Sequence, residues 1–128
     1  MKTLGIGVDI VENKRFKNLV KNINFIKRTF GKKEIKLSQK VLNKSNYYSK
    51  RFAAKEAFAK SLGTGFRNNL NLIDIEILND KKGKPYYNRS KKINNLIFKI
   101  FKIKKYNLFL SISDEKNYSI AFTIIQAI

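Results

Sequence analysis

Two carboxylates, a few lysines and an arginine carry most of the chemistry this sequence offers. Glu56 lies in the run Arg51-Phe52-Ala53-Ala54-Lys55-Glu56-Ala57-Phe58-Ala59-Lys60-Ser61-Leu62-Gly63-Thr64-Gly65. Alanine-rich and proline-free, it predicts a helix stopped by Gly63 or Gly65. At about 100° per residue its apolar positions spread around most of the circumference, so the helix packs on several sides and Glu56 sits among apolar neighbours. A carboxylate withdrawn from water is costly unless a cation, side chain or metal, holds it. Lys60, one turn on, is one such cation, although a helical Glu–Lys pair contributes only about 0.2–0.5 kcal/mol and usually marks a solvated face. Gly63-Thr64-Gly65 offers backbone N–H groups that can cradle a phosphate, and a plain C-cap explains it equally well.

The second carboxylate stands on a strand. Thr3 to Val11 alternates with period two, placing Leu4, Ile6, Val8 and Ile10 on one face and Gly5, Gly7 and Asp9 on the other. A face stripped of side chains by two glycines lets another backbone or a ligand approach closely. No third glycine or following helix completes a dinucleotide fingerprint, and an Asp9 that meets a lysine in a tightly packed strand is the plainer alternative.

Composition narrows the rest. The chain of 128 residues suits one compact domain, 1–128, and is too short for two. It has no cysteine, which excludes disulfides and thiolate metal sites and fits a reducing cytoplasm, and no histidine, which excludes imidazole bases, imidazole ligands and Ser-His triads. Neither a signal peptide at Met1-Lys2-Thr3-Leu4 nor a membrane span is expected. Lys and Arg number 28 against 9 Asp and Glu, a net charge of +19 that attracts nucleic acid, acidic protein or nucleotide. A small basic nucleic-acid-binding protein, with Phe and Tyr interleaved among lysines, is the alternative that charge alone favours.

These residues must be positioned by a set of elements that the periodicity outlines. Helical patterns follow the first strand over Glu12 to Val20, around Phe25 to Phe30 with a close at Gly31, over Lys33 to Leu42, and from about Tyr47 into the central helix. Leu72 to Leu78 reads as a strand, Asn79 to Gly83 as a turn, and Lys84 to Tyr87 as its partner strand. Ile93, Leu96, Ile97, Ile100 and Phe101 recur at helical spacing. Tyr106 to Ser113 and Tyr118 to Gln126 form a hairpin. The order predicts an α+β domain with a mostly antiparallel sheet packed against a long central helix.

Taken together, Gly5-Ile6-Gly7-Val8-Asp9-Ile10-Val11-Glu12, the Arg51 to Gly65 run, Asn79-Asp80-x-x-Gly83-Lys84-Pro85 and Ser111-Ile112-Ser113 followed by Tyr118-Ser119-Ile120-Ala121 resemble the bacterial holo-acyl-carrier-protein synthases, small members of the 4′-phosphopantetheinyl transferase superfamily. The resemblance implies that fold, and an enzyme of fatty acid biosynthesis that transfers the 4′-phosphopantetheine arm of coenzyme A to a serine of acyl carrier protein, releasing adenosine 3′,5′-bisphosphate. It implies Mg²⁺ on Asp9 and Glu56, and Lys60 near the phosphates as a further catalytic group. Coenzyme A contacts are implied for Arg51, Lys55, Gly63, Thr64, Gly65, Lys84 and Pro85, with Arg51 and Lys55 facing either its phosphates or the carrier protein. With no histidine, the serine proton is expected to pass to a metal-positioned water or a nearby carboxylate. A homotrimer with sites at subunit borders is implied as well. The chain departs from the family pattern at the last hairpin, where Asp114 and Phe109 stand at positions often held by histidine, so an acid replaces a potential cation beside a polyphosphate. Either Asp114 turns away or a neighbouring lysine compensates.

Overall fold

A computed structural model describes all 128 residues. Strand β1 (Lys2–Glu12) leads through a 3₁₀ turn into α1 (Phe16–Leu19), α2 (Ile23–Thr29) and α3 (Lys32–Ser38). The long helix α4 (Lys44–Ser61) follows, then a 3₁₀ turn (Leu72–Asp74), the short hairpin β2 (Ile77–Asn79) and β3 (Pro85–Tyr87), helix α5 (Lys91–Phe101), and the strands β4 (Tyr106–Asp114) and β5 (Tyr118–Ala127). The main sheet is antiparallel in the order β1-β5-β4, so β1 pairs with the last strand: Asp9 lies opposite Ala121 and Val8 opposite Phe122.

Helix α4 begins three residues earlier than its apolar pattern suggests, because the Asn43 side chain accepts from Asn46 N–H at 3.1 Å and caps the first turn. It stops after Leu62, where Gly63 adopts φ +78°, a conformation that costs glycine nothing. Eleven of its 18 residues are buried, on every side of the helix. The sheet covers one side. Phe16 and Phe25 cover another by packing on Phe52 of the helix, with Phe16 and Phe52 centroids 5.4 Å apart. Tyr87 joins helix and sheet from within, its hydroxyl donating to Ala54 O at 2.6 Å and lying 2.6 Å from Thr123 Oγ1. Helix α5 contributes Ile93, Leu96 and Ile97 to the same core cluster.

Two expected elements differ. The helical pattern over Glu12 to Val20 becomes the end of β1, a 3₁₀ turn and the single helical turn α1. The expected strand from Leu72 to Leu78 is a 3₁₀ turn followed by three strand residues. The Asp74 carboxylate accepts from Asn71 N–H at 2.9 Å and curls the segment, while the Leu72 and Ile75 carbonyls are taken by a lysine ammonium instead of a neighbouring strand.

Candidate active site

Bare backbone joins β1 to α4. A Cβ on Gly7 would stand 1.9 Å from the Ala57 carbonyl oxygen, and one on Gly5 would stand 1.8 Å from that of Ser61. Only glycine permits that approach, so the strand lies directly on the helix. Asp9, next on the same strand face, is carried toward Glu56. Glu56 then feels the charge of Asp9. Burial first, and Asp9's negative charge second, push the Glu56 carboxyl above its usual range, while Lys60 and Arg15 act in the opposite sense. No third carboxylate, imidazole or thiolate completes a metal cage.

Lys60 does not close on Glu56, the pairing its spacing suggested. Its ammonium donates to Asp9 Oδ1 at 3.0 Å and to the Val8 carbonyl at 3.1 Å, since the strand presents two acceptors side by side. The plainer sequence alternative, an Asp9 that meets a lysine, is the contact the structure shows.

Beyond the end of α4, Gly63 and Gly65 both have positive φ, +78° and +65°, and open space beside their α-carbons. Between them the Thr64 hydroxyl is buried with no hydrogen-bond partner. An orphaned polar atom of this kind awaits a ligand or water.

A second group gathers around Arg51, about 140° round α4 from Glu56. Arg51 is 7% exposed. Its guanidinium lies 3.7 Å from the Tyr47 ring centroid and donates through Nη2 to Asn79 Oδ1 at 2.5 Å; Nε is buried without a partner. Burial holds its pKa below the usual arginine value, a cost that charges nearby only partly offset. Asn79 in turn donates to the Gly83 carbonyl at 2.9 Å, and Asp80 Oδ1 accepts from the Lys82 and Lys84 N–H groups. The turn that presents Lys84 and Pro85 is thus tied to Arg51. A cleft of about 530 Å³ opens here, lined by Lys40, Lys50, Arg51 and Asn79 among others.

Lys55 must be corrected. The expectation of a coenzyme A or carrier-protein contact does not fit a side chain that is fully buried with its ammonium turned into the protein. Its ammonium donates to Glu34 Oε1 at 2.8 Å, to Leu72 O at 3.1 Å and to Ile75 O at 2.5 Å, which uses all three protons. Glu34 is equally buried and also accepts from the Gly31 and Ile77 N–H groups. Asp114 is exposed and has neither turned from all partners nor found a lysine: the Asn46 amide donates to its Oδ2 at 2.8 Å. Asn79, Glu34 and Asn46 escaped notice as site or support residues. Asn79 stood in a quoted motif; for the other two, no spacing in the sequence pointed to partners so far away.

The family model for the 4′-phosphopantetheinyl transferase superfamily matches residues 5–123. The chain belongs to that superfamily. The matched stretch contains every residue of both groups just described. A holo-[acyl-carrier-protein] synthase from Pelagibacter ubique is 60% identical over 126 residues, covering 98% of each chain. Among solved structures, the superfamily fold recurs in the holo-[acyl-carrier-protein] synthase of Neisseria meningitidis, with a TM-score of 0.85, 35% identity and 97% of this chain and 98% of that one covered. The Bacillus anthracis holo-(acyl-carrier-protein) synthase in complex with CoA (3′,5′-ADP) superimposes with a TM-score of 0.82 at 28% identity over the whole of both chains. These likenesses carry the α+β fold and a phosphopantetheinyl transferase activity to this chain.

Proposed function

We propose that this protein is a holo-[acyl-carrier-protein] synthase: it moves the 4′-phosphopantetheine group of coenzyme A onto a serine hydroxyl of apo acyl carrier protein and releases adenosine 3′,5′-bisphosphate. The serine oxygen forms the new P–O bond as the bond to the adenosine-side phosphate breaks, and the serine proton leaves to a base. The observation that carries the reading is β1 laid on α4, which brings Asp9 to Glu56, within a chain matching the superfamily over 5–123.

The donor set fits Mg²⁺. Two carboxylates with no further protein ligand leave positions for water and phosphate oxygens, the coordination this ion favours over an all-protein cage. Asp9 and Glu56 would hold Mg²⁺, which would supply charge neutralisation to the transferring phosphate. The other donors suit a polyphosphate. Lys60 stands beside the carboxylates on a solvent-exposed stem, from which its ammonium would reach a leaving phosphate on release from Asp9. The Thr64 hydroxyl and Arg51 Nε lack partners that phosphate oxygens would provide, and Gly63 and Gly65 leave their backbone open to a nucleotide. Lys84 and Pro85 border the Arg51 group and would flank the adenine end.

Two features support a homotrimer with sites at its borders. The outer face of the sheet presents Ile6, Val8, Ile10, Phe109, Ile120 and Phe122, each 40–58% exposed, an apolar surface that a second copy would cover. The Arg51 group and the Asp9–Glu56 pair also point to different sides of α4, so a single copy would present only part of a site. The +19 charge suits an acidic carrier protein at least as well as nucleic acid, and no specific geometry favours the latter. No helix is long and apolar enough to cross a membrane. We place the enzyme in the cytoplasm, supplying the holo carrier protein on which fatty acids are built.

The deciding experiment is the intact mass of apo acyl carrier protein incubated with this protein, coenzyme A and Mg²⁺. The expected result is a gain of one phosphopantetheine, abolished by EDTA and by Glu56→Ala; no gain with several carrier proteins rejects the reading.

A further inference from the structure

Asp9 already holds a cation. Lys60 Nζ bonds Asp9 Oδ1 at 3.0 Å, and the pair is lopsided: the lysine side chain is 55% exposed, the aspartate 16%. The anchor is therefore fixed and the ammonium is at the end of a solvent-exposed stem. A second acceptor, the Val8 carbonyl at 3.1 Å, completes a seat on β1 that draws the ammonium away from Glu56 on its own helix. Without a positive charge at this point, Asp9 and Glu56 would face each other with only the smaller influence of Arg15 to offset them. A divalent cation on the same oxygen would meet the ammonium within a few ångströms, where like charges repel strongly.

We infer that Lys60 is a built-in stand-in for the metal: its ammonium takes the Asp9 oxygen a divalent cation would use, keeps the two carboxylates assembled, and is displaced when such a cation binds. The inference rests on the synthase reading and concerns the same carboxylate pair. Metal and lysine exclude each other at Asp9 Oδ1, so loading the site also releases three N–H donors on a mobile stem. The lysine becomes available to phosphate only after the metal has arrived.

The test uses the full chain without nucleotide, at one pH, titrated with Mn²⁺ and read by electron paramagnetic resonance. Lys60→Gln should bind Mn²⁺ about three- to tenfold more tightly than the unaltered protein. Arg15→Gln removes a charge that also acts on Glu56 without breaking the Asp9 seat, and should tighten binding less. Unchanged or weaker binding in Lys60→Gln, or an equal gain from Arg15→Gln, overturns the stand-in while leaving the carboxylate site intact. Absence of Mn²⁺ binding in both the unaltered protein and Lys60→Gln overturns the stand-in and the metal reading together. A direct readout accompanies the titration: the ¹⁵N-labelled Lys60 ammonium signal should shift on saturation with Mg²⁺, and a signal that stays put overturns the displacement.

Discussion

A buried hydroxyl without a partner costs roughly 1–3 kcal/mol, so Thr64 is a residue where stability and binding should separate. Thr64→Val should hold or raise thermal stability while raising the KM for coenzyme A about fivefold or more; a drop in stability with unchanged KM would mark the hydroxyl as merely structural. At the carboxylates the expectation differs. Asp9→Asn and Glu56→Gln should each lower kcat/KM at least about a hundredfold and leave the far-ultraviolet circular dichroism unchanged, because neither side chain belongs to the packed core. Both residues were legible in the sequence because each posed a problem alone, a charge on a bare strand face and a charge on a helix apolar all round. Lys55 was misjudged for the same reason that made the helix legible. When a helix is buried on every side, periodicity does not tell which lysine points inward, and its partner Glu34 lies 21 residues back with no shared pattern.

Elements carry the precision of the site. Replacing Gly7 by alanine would drive a methyl group into the Ala57 carbonyl, and strand and helix would have to part. Gly7→Ala should therefore cost roughly 3 kcal/mol or more in denaturant titrations and lower activity as well, since Asp9 moves with the strand. The buried Lys55–Glu34 pair fastens α3 and the turn before β2 onto α4. Lys55→Ala strands a buried carboxylate and should cost about 3–5 kcal/mol, whereas Lys55→Met combined with Glu34→Leu should recover much of that loss. Element types were largely readable from periodicity, α5 and the final hairpin most clearly. The Leu72–Leu78 run was not, because its apolar alternation is real while its carbonyls are claimed by Lys55. Hydrogen bonds to a distant side chain leave no trace in local spacing.

Over the whole molecule, titration and assembly are the accessible observables. Burial, acting against the Arg51 charge, raises Tyr47 to about 12, and burial raises Tyr87 further still. A phenol whose folded pKa exceeds its unfolded value of 10.0 stabilises the protein fully below pH 10, and that contribution is lost as the pH climbs through about 12. Of the six tyrosines, these two should ionise only as the protein unfolds, visible as a cooperative late step in phenolate absorbance. Val8→Lys with Phe122→Lys, opposed on the outer sheet face, should reduce the mass measured by light scattering to that of one chain. The pairing of the first strand with the last has an effect in time. Residue 9 leaves the ribosome early, yet its neighbour across the sheet, Ala121, is made more than a hundred residues later. At about 5–20 residues per second, several seconds pass in which β1 and α4 have both been made but β1 has no β5 to pair with. A nascent chain therefore has both carboxylates and no site, and it becomes competent only when its final strand slides in beside the first.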